Sequence, residues 1–182
     1  MATATLNLGR SGENYKTGSG VILAASRGAK YITAFNLYWG INESATGAYL
    51  YNYSGYSNGA IYFYINGTHV ASATYNGSNA RPATSWSGNL TIPPNTAITI
   101  SFSSSDTSSS RAMRNEFHLK ITYTVQAHPT VTAGTTIYNS QIQALNYYIN
   151  GNNTGPGVGN PIRPYVIGTT GSTISASTYN NA

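Results

Sequence analysis

The chain contains no cysteine, which excludes disulfide frameworks and thiolate metal sites. It is nearly as poor in charge. Only 7% of its residues are Asp, Glu, Lys or Arg, against about a quarter in ordinary soluble domains. Solubility therefore falls to Ser, Thr, Asn, Gly and the hydroxyls of 16 tyrosines. The net charge of +5 comes from nine scattered Lys and Arg, whereas phosphate binding wants clustered cations, so nucleic acid is not an expected partner. No apolar run approaches the roughly 20 residues of a membrane span, so membrane insertion is not expected either. The opening MATATLNLGR has neither the basic nor the apolar region of a Sec-type signal, and none is expected.

Acids are equally sparse. They are Glu13, Glu43, Asp106 and Glu116, and no two share a predicted face, whereas glycoside hydrolysis needs two carboxylates about 5–10 Å apart. His69, His118 and His128 lack the spacing of a zinc site. There is no nucleophile elbow, Walker loop or dinucleotide fingerprint. No catalytic residue, metal site or cofactor is expected, and the chain reads as non-enzymatic.

What is present is period-two alternation. Hydrophobic residues make up 40% of the chain, enough for a packed but thin core. Ala2, Ala4, Leu6 and Leu8 alternate with Thr3, Thr5 and Asn7, the pattern of a half-buried strand. Residues 30–39 are apolar or aromatic on both faces, as in a central strand. In AIYFYINGTHVASATY, Asn66-Gly67 is the preferred two-residue hairpin turn, because both positions need positive φ. That turn predicts Phe63 opposite Val70 and Tyr64 opposite His69, with Ile61, Phe63 and Ile65 inward. The turn PPNT predicts a second hairpin, with Ile98, Ile100 and Phe102 inward. In EFHLKITYTV, Phe117, Leu119, Ile121, Tyr123 and Val125 are predicted inward, and Glu116, His118, Lys120, Thr122 and Thr124 outward. About eight short strands with turns between them predict an all-β fold, an antiparallel two-sheet β-sandwich of jelly-roll-like kind, over residues 1–126.

The texture changes at QAHPT, and residues 127–182 read as a small C-terminal appendage with one short helix over about 140–150. Ser140 is the expected N-cap, Ile142, Leu145 and Ile149 form an apolar stripe, and Gly151 is the stop. A helix this short is marginal alone in water, so the stripe needs a surface to bury it, and the three residues are candidates for assembly. The phrase GTTIYNSQIQ, from Gly134, is written again in GSTISASTYN, from Gly171. Ser177 is expected to open a second helix that the sequence leaves unfinished at Ala182, so an apolar continuation is expected.

The tyrosine-rich stretch YLYNYSGYSNGAIYFY is the most suggestive surface. Tyr49, Tyr51, Tyr53, Tyr56, Tyr62 and Tyr64 are candidates either for subunit packing or for stacking on a saccharide, since tyrosine is amphipathic in both settings. Subunit packing is the preferred reading. Arg111 and Arg114 are candidates for pairing with acidic groups on a neighbour.

The two Gly-x-Thr-Ile-x-x-Ser phrases resemble segments of tailed-bacteriophage virion structural proteins, over residues 134–150 and 171–182. The resemblance implies a non-enzymatic role in a particle, as capsid decoration, head or tail fibre or adaptor. The implied partners are further copies of the chain, with a homotrimer expected, and other capsid or tail proteins. The implied location is the virion, after synthesis in the host cytoplasm. The alternative is a carbohydrate-binding, lectin-like module, free and secreted or as a fibre domain that meets host glycan.

Overall fold

The computed structural model describes residues 1–10, 17–39, 51–52, 58–76, 83–105, 113–151 and 175–181. Along the chain run β1 (Ala2–Arg10), β2 (Thr17–Leu23), β3 (Lys30–Trp39), β4 (Tyr51–Asn52), β5 (Asn58–Ile65), β6 (Thr68–Asn76), β7 (Thr84–Ile92), β8 (Ile98–Ser104) and β9 (Met113–Val125). Two helices follow, α1 (Asn139–Asn150) and α2 (Ala176–Asn180). The chain divides into two compact units. One comprises Met1–Ala24, Ile32–Leu90 and Ala97–Thr124; the other comprises Ala25–Tyr31, Thr91–Thr96 and Val125–Ala182.

The first unit is an all-β sandwich organised about one turn. Asn66 and Gly67 stand at φ 46° and 81°, the geometry that twists two strands into register. Asn66 also ties the tip to β8: its Nδ2 donates to Ala97 O at 2.9 Å, and its Oδ1 accepts from Thr99 N at 2.8 Å. Outward from this turn the strands pair in nested order. β5 pairs with β6, β3 with β7, β2 with β8 and β1 with β9. One sheet runs β1-β9-β3-β7, with β4 joined to β9, and the other runs β2-β8-β5-β6. Successive pairs thus alternate between sheets, which is a long hairpin rolled upon itself, the jelly roll.

The inner faces meet through all four phenylalanines of the chain. Phe63 stands 5.5 Å from Phe35 and 5.4 Å from Phe117, and Phe102 lies 5.0 Å from Phe117. Two of these rings come from each sheet, and the two edge-on pairs that Phe117 makes add to the area they bury. A Cβ at Gly18 would stand 2.5 Å from the Phe102 ring, so β2 is cut back where that ring passes. Ile61, Ile65, Ile98, Ile100, Leu119 and Ile121 complete the centre, as the alternation predicts.

Three local expectations for the strands are corrected. Phe63 pairs with Ala71 and not Val70, because a bulge lies between Phe63 and Tyr64 in the register. The bulge turns Ala71 and Ala73 inward and leaves Ser72 and Thr74 in water, which suits their polarity better than unbroken alternation. β7 and β8 do not form a hairpin: they belong to different sheets. Pro93 and Pro94 supply no N–H, and Asn95, at φ 55°, gives its own N–H to Ser26 O at 2.9 Å. Val125, predicted inward, is 47% exposed at the end of β9.

The second unit is built around α1. Gly151, at φ 69°, closes the helix, with its N–H on Tyr147 O at 2.8 Å. The expected cap is displaced at the other end. Tyr138 takes the N-cap position, and its N–H donates to Gln141 Oε1 at 2.8 Å, so Ser140 lies within the first turn. Within the second phrase a short helix, α2, forms, but its cap is corrected. Ser175, not Ser177, is the N-cap, and its Oγ accepts from Thr178 N at 3.0 Å. Among the described residues no helix is long and apolar enough to cross a membrane.

Candidate functional site

The outward face of the β2-β8-β5-β6 sheet gathers side chains that are distant in sequence. Period two points Tyr62 and Tyr64 away from the core because Ile61, Phe63 and Ile65 fill it. Register then sets their neighbours. Tyr62 lies between Ser103 of β8 and Ser72 of β6, and Ser103 pairs with Thr17 of β2. Tyr64 lies between Ser101 of β8 and His69 of β6, and Ser101 pairs with Ser19. The exposed His69 ring stands 5.9 Å from Tyr62 and 5.5 Å from Tyr64, tilted to both. The result is a hydroxyl-lined floor with three aromatic rings at one side. Among its described residues, none is Asp, Glu, Lys or Arg.

Such a face can meet another uncharged surface without stranding a charge, and its rings can lie on apolar C–H surface while Ser and Thr exchange hydrogen bonds. Of the six candidate tyrosines, the fold brings Tyr62 and Tyr64 together here. Tyr51 lies on β4, opposite Arg114 of β9 by Cα register, so two candidates from different groups stand on adjoining strands. Tyr49, Tyr53, Tyr56 and Arg111 lie outside the described residues.

The three assembly candidates on α1 have a different place. Ile142, Leu145 and Ile149 are buried in one cluster with Ile137 and Tyr179, with Val131 and Tyr148 packed against it. The stripe is therefore covered within the chain. Tyr179 carries no periodic apolar companion, so its sequence gives no sign of this role. Its hydroxyl donates to Gln141 O at 2.6 Å, and burial raises its pKa above the ordinary tyrosine value.

Two further polar groups escaped sequence reasoning. Lys30 is fully buried, and its Nζ donates to Ser26 O at 3.0 Å and Thr96 O at 3.1 Å. Burial lowers its pKa, and the two carbonyls link residues 25–31 to 91–96. His118, placed outward by alternation, is only 8% exposed. It sits opposite Asn7, with Nδ1 2.7 Å from the Asn7 Oδ1, and its ring centre is 6.1 Å from that of Tyr38. Only the β1-β9 register could have announced that pair. Among the described residues no three His, Cys, Asp or Glu gather where a metal ion could be held. Neither protein-family models nor curated proteins give a match to the chain.

Proposed function

We propose that the chain is a non-enzymatic structural component of a bacteriophage virion, a decoration, fibre or adaptor protein that acts through contacts with its own copies and with the particle. The observation that carries this reading is an outer jelly-roll face with no Asp, Glu, Lys or Arg among its described residues. Jelly rolls recur in viral capsids and in lectins, and fold alone does not choose between them. A face made of Tyr62, Tyr64, Ser101 and Ser103 suits close packing because nothing on it must be stripped of charge. The motif resemblance over residues 134–150 and 171–182 points the same way. Native mass spectrometry of the full chain is expected to show a multimer, with three copies. A stable monomer that binds no capsid or tail component overturns the reading.

One observation favours a second reading. The tilted trio Tyr62, His69 and Tyr64 beside rows of hydroxyls also suits a neutral saccharide, whose C–H faces stack on rings and whose hydroxyls pair with Ser and Thr. A lectin-like domain, free or on a fibre, follows from that alternative.

A further inference from the structure

Among the described residues of the β2-β8-β5-β6 outer face, His69 is the only imidazole, and imidazole is the side chain that ordinarily changes charge between about pH 5 and 8. His69 stands opposite Tyr64 in register. The bulge beside it buries both Val70 and Ala71, so the next outward residue of β6 is Ser72, the partner of Tyr62. The exposed imidazole therefore stands against both tyrosine rings, at 5.9 and 5.5 Å, tilted 58° and 60° to them. A surface laid over Tyr62 and Tyr64 covers His69 with them.

Nothing on the described part of this face answers a positive imidazole with a negative charge. β5 offers the phenols of Tyr62 and Tyr64, while the described outward residues of β6, β8 and β2 are otherwise Ser, Thr and Val21. β6 ends the strand order of the sheet, so no described strand lies beyond His69. A second copy brings few counter-charges, because the whole chain holds four Asp and Glu against nine Lys and Arg. At a net +5 before any histidine is protonated, the copies also repel one another. Attraction between the imidazolium and the two rings exists already in the free chain, so it does not offset the water lost on covering.

We propose that His69 is a proton-operated switch for the contact between copies: neutral, it is covered by a second copy together with Tyr62 and Tyr64, and protonated, it keeps the face in water and releases that copy. The switch rests on the self-assembly proposed above and supplies its regulation. Its sign follows from desolvation. A covered imidazole without a carboxylate beside it takes a proton less readily than one in water, so the assembled state holds fewer protons than the free chains. Acid therefore favours the free chains, and association is at full strength once His69 is neutral. Each covered His69 weakens assembly by up to about tenfold per pH unit on the acid side.

Sedimentation of the full chain at fixed concentration, from about pH 8 down to about pH 5, is expected to show the multimer dissociating while circular dichroism stays unchanged. His69→Gln removes the charge and keeps a polar side chain, so its multimer should persist to the acid end. His69→Lys carries a charge throughout and should be monomeric even at the alkaline end, with the wild-type fold. His128 stands against Tyr148 and not on this face, so His128→Gln should keep the wild-type pH profile. A wild-type multimer indifferent to pH overturns the switch and leaves the virion reading standing. So does acid dissociation that survives in His69→Gln, or that only accompanies unfolding. A wild-type chain that is monomeric across the whole range overturns both.

Discussion

Lys30 and Tyr179 are buried titratable groups of the second unit, and burial moves them in opposite directions. Lys30 falls below the ordinary lysine value of 10.5. The native state then loses its proton before the unfolded state does, so stability rises with pH between the lowered value and 10.5. Tyr179 rises above the ordinary value of 10.0, because a phenolate there would be cut off from water. Its contribution is complete below pH 10.0 and is lost as pH climbs through the raised native value. Thermal unfolding of the full chain between pH 8 and about 11.5 should therefore separate the two. Lys30→Met is expected to flatten the rise that precedes pH 10.5, and Tyr179→Phe the fall that follows pH 10.0. At neutral pH, Tyr179→Phe should cost about 0.5–1.5 kcal/mol for the lost hydrogen bond. Slopes that match the wild type would assign the pH dependence to other groups.

At the scale of elements, the nested strand order makes the β5-β6 hairpin the innermost pair of the roll, so its tip has more to hold than one turn. Asn66→Gly keeps a residue tolerant of positive φ and the backbone N–H bond to Thr99 O, but removes the side-chain bonds to Ala97 O and Thr99 N. The expected loss is about 1–3 kcal/mol, seen as a lower urea midpoint with an unchanged slope. Asn66→Asp keeps the acceptor for Thr99 N and should lose about half as much. This turn was legible because its requirement is local: two residues at positive φ between alternating runs. The inward rows of β5, β8 and β9 were legible for the same reason, and so were the α1 stripe and its Gly151 stop. What a local pattern does not encode is which strand lies beside which. PPNT resembles a hairpin turn, yet its chain passes between sheets, and the Phe63-Ala71 bulge emerges only when two strands are compared. Caps failed more narrowly, since Gln141 and Ser175 offered better geometry than the serines nearest the apolar run. Tyr62 and Tyr64 could be placed outward from sequence. Their company of Ser72, Ser101, Ser103 and His69 rests on pairings across up to about forty residues.

For the whole molecule, the sparse charge becomes consequential where it leaves a complete sheet face without any among the described residues. Ser101 is central to that face, between Ser19 and Tyr64. In an isolated chain, Ser101→Lys can extend its ammonium into water, and such surface changes shift stability by no more than about 0.5 kcal/mol. In an assembly that covers the face, the same ammonium must be stripped of water without a carboxylate beside it, at several kcal/mol per copy. The full chain with Ser101→Lys is therefore expected to keep its fold, read by circular dichroism, and lose its multimer. Tyr62→Ala with Tyr64→Ala supplies the opposing arm. If the face takes a neutral saccharide, the pair of changes abolishes glycan-array binding while the Ser101→Lys chain remains assembled. A multimer unaffected by the new charge places the subunit contact on another surface, and glycan binding indifferent to the loss of both rings removes the lectin reading. The two outcomes turn on different physics, desolvation of an ion in one and ring stacking in the other, which is why one sheet face can decide between them.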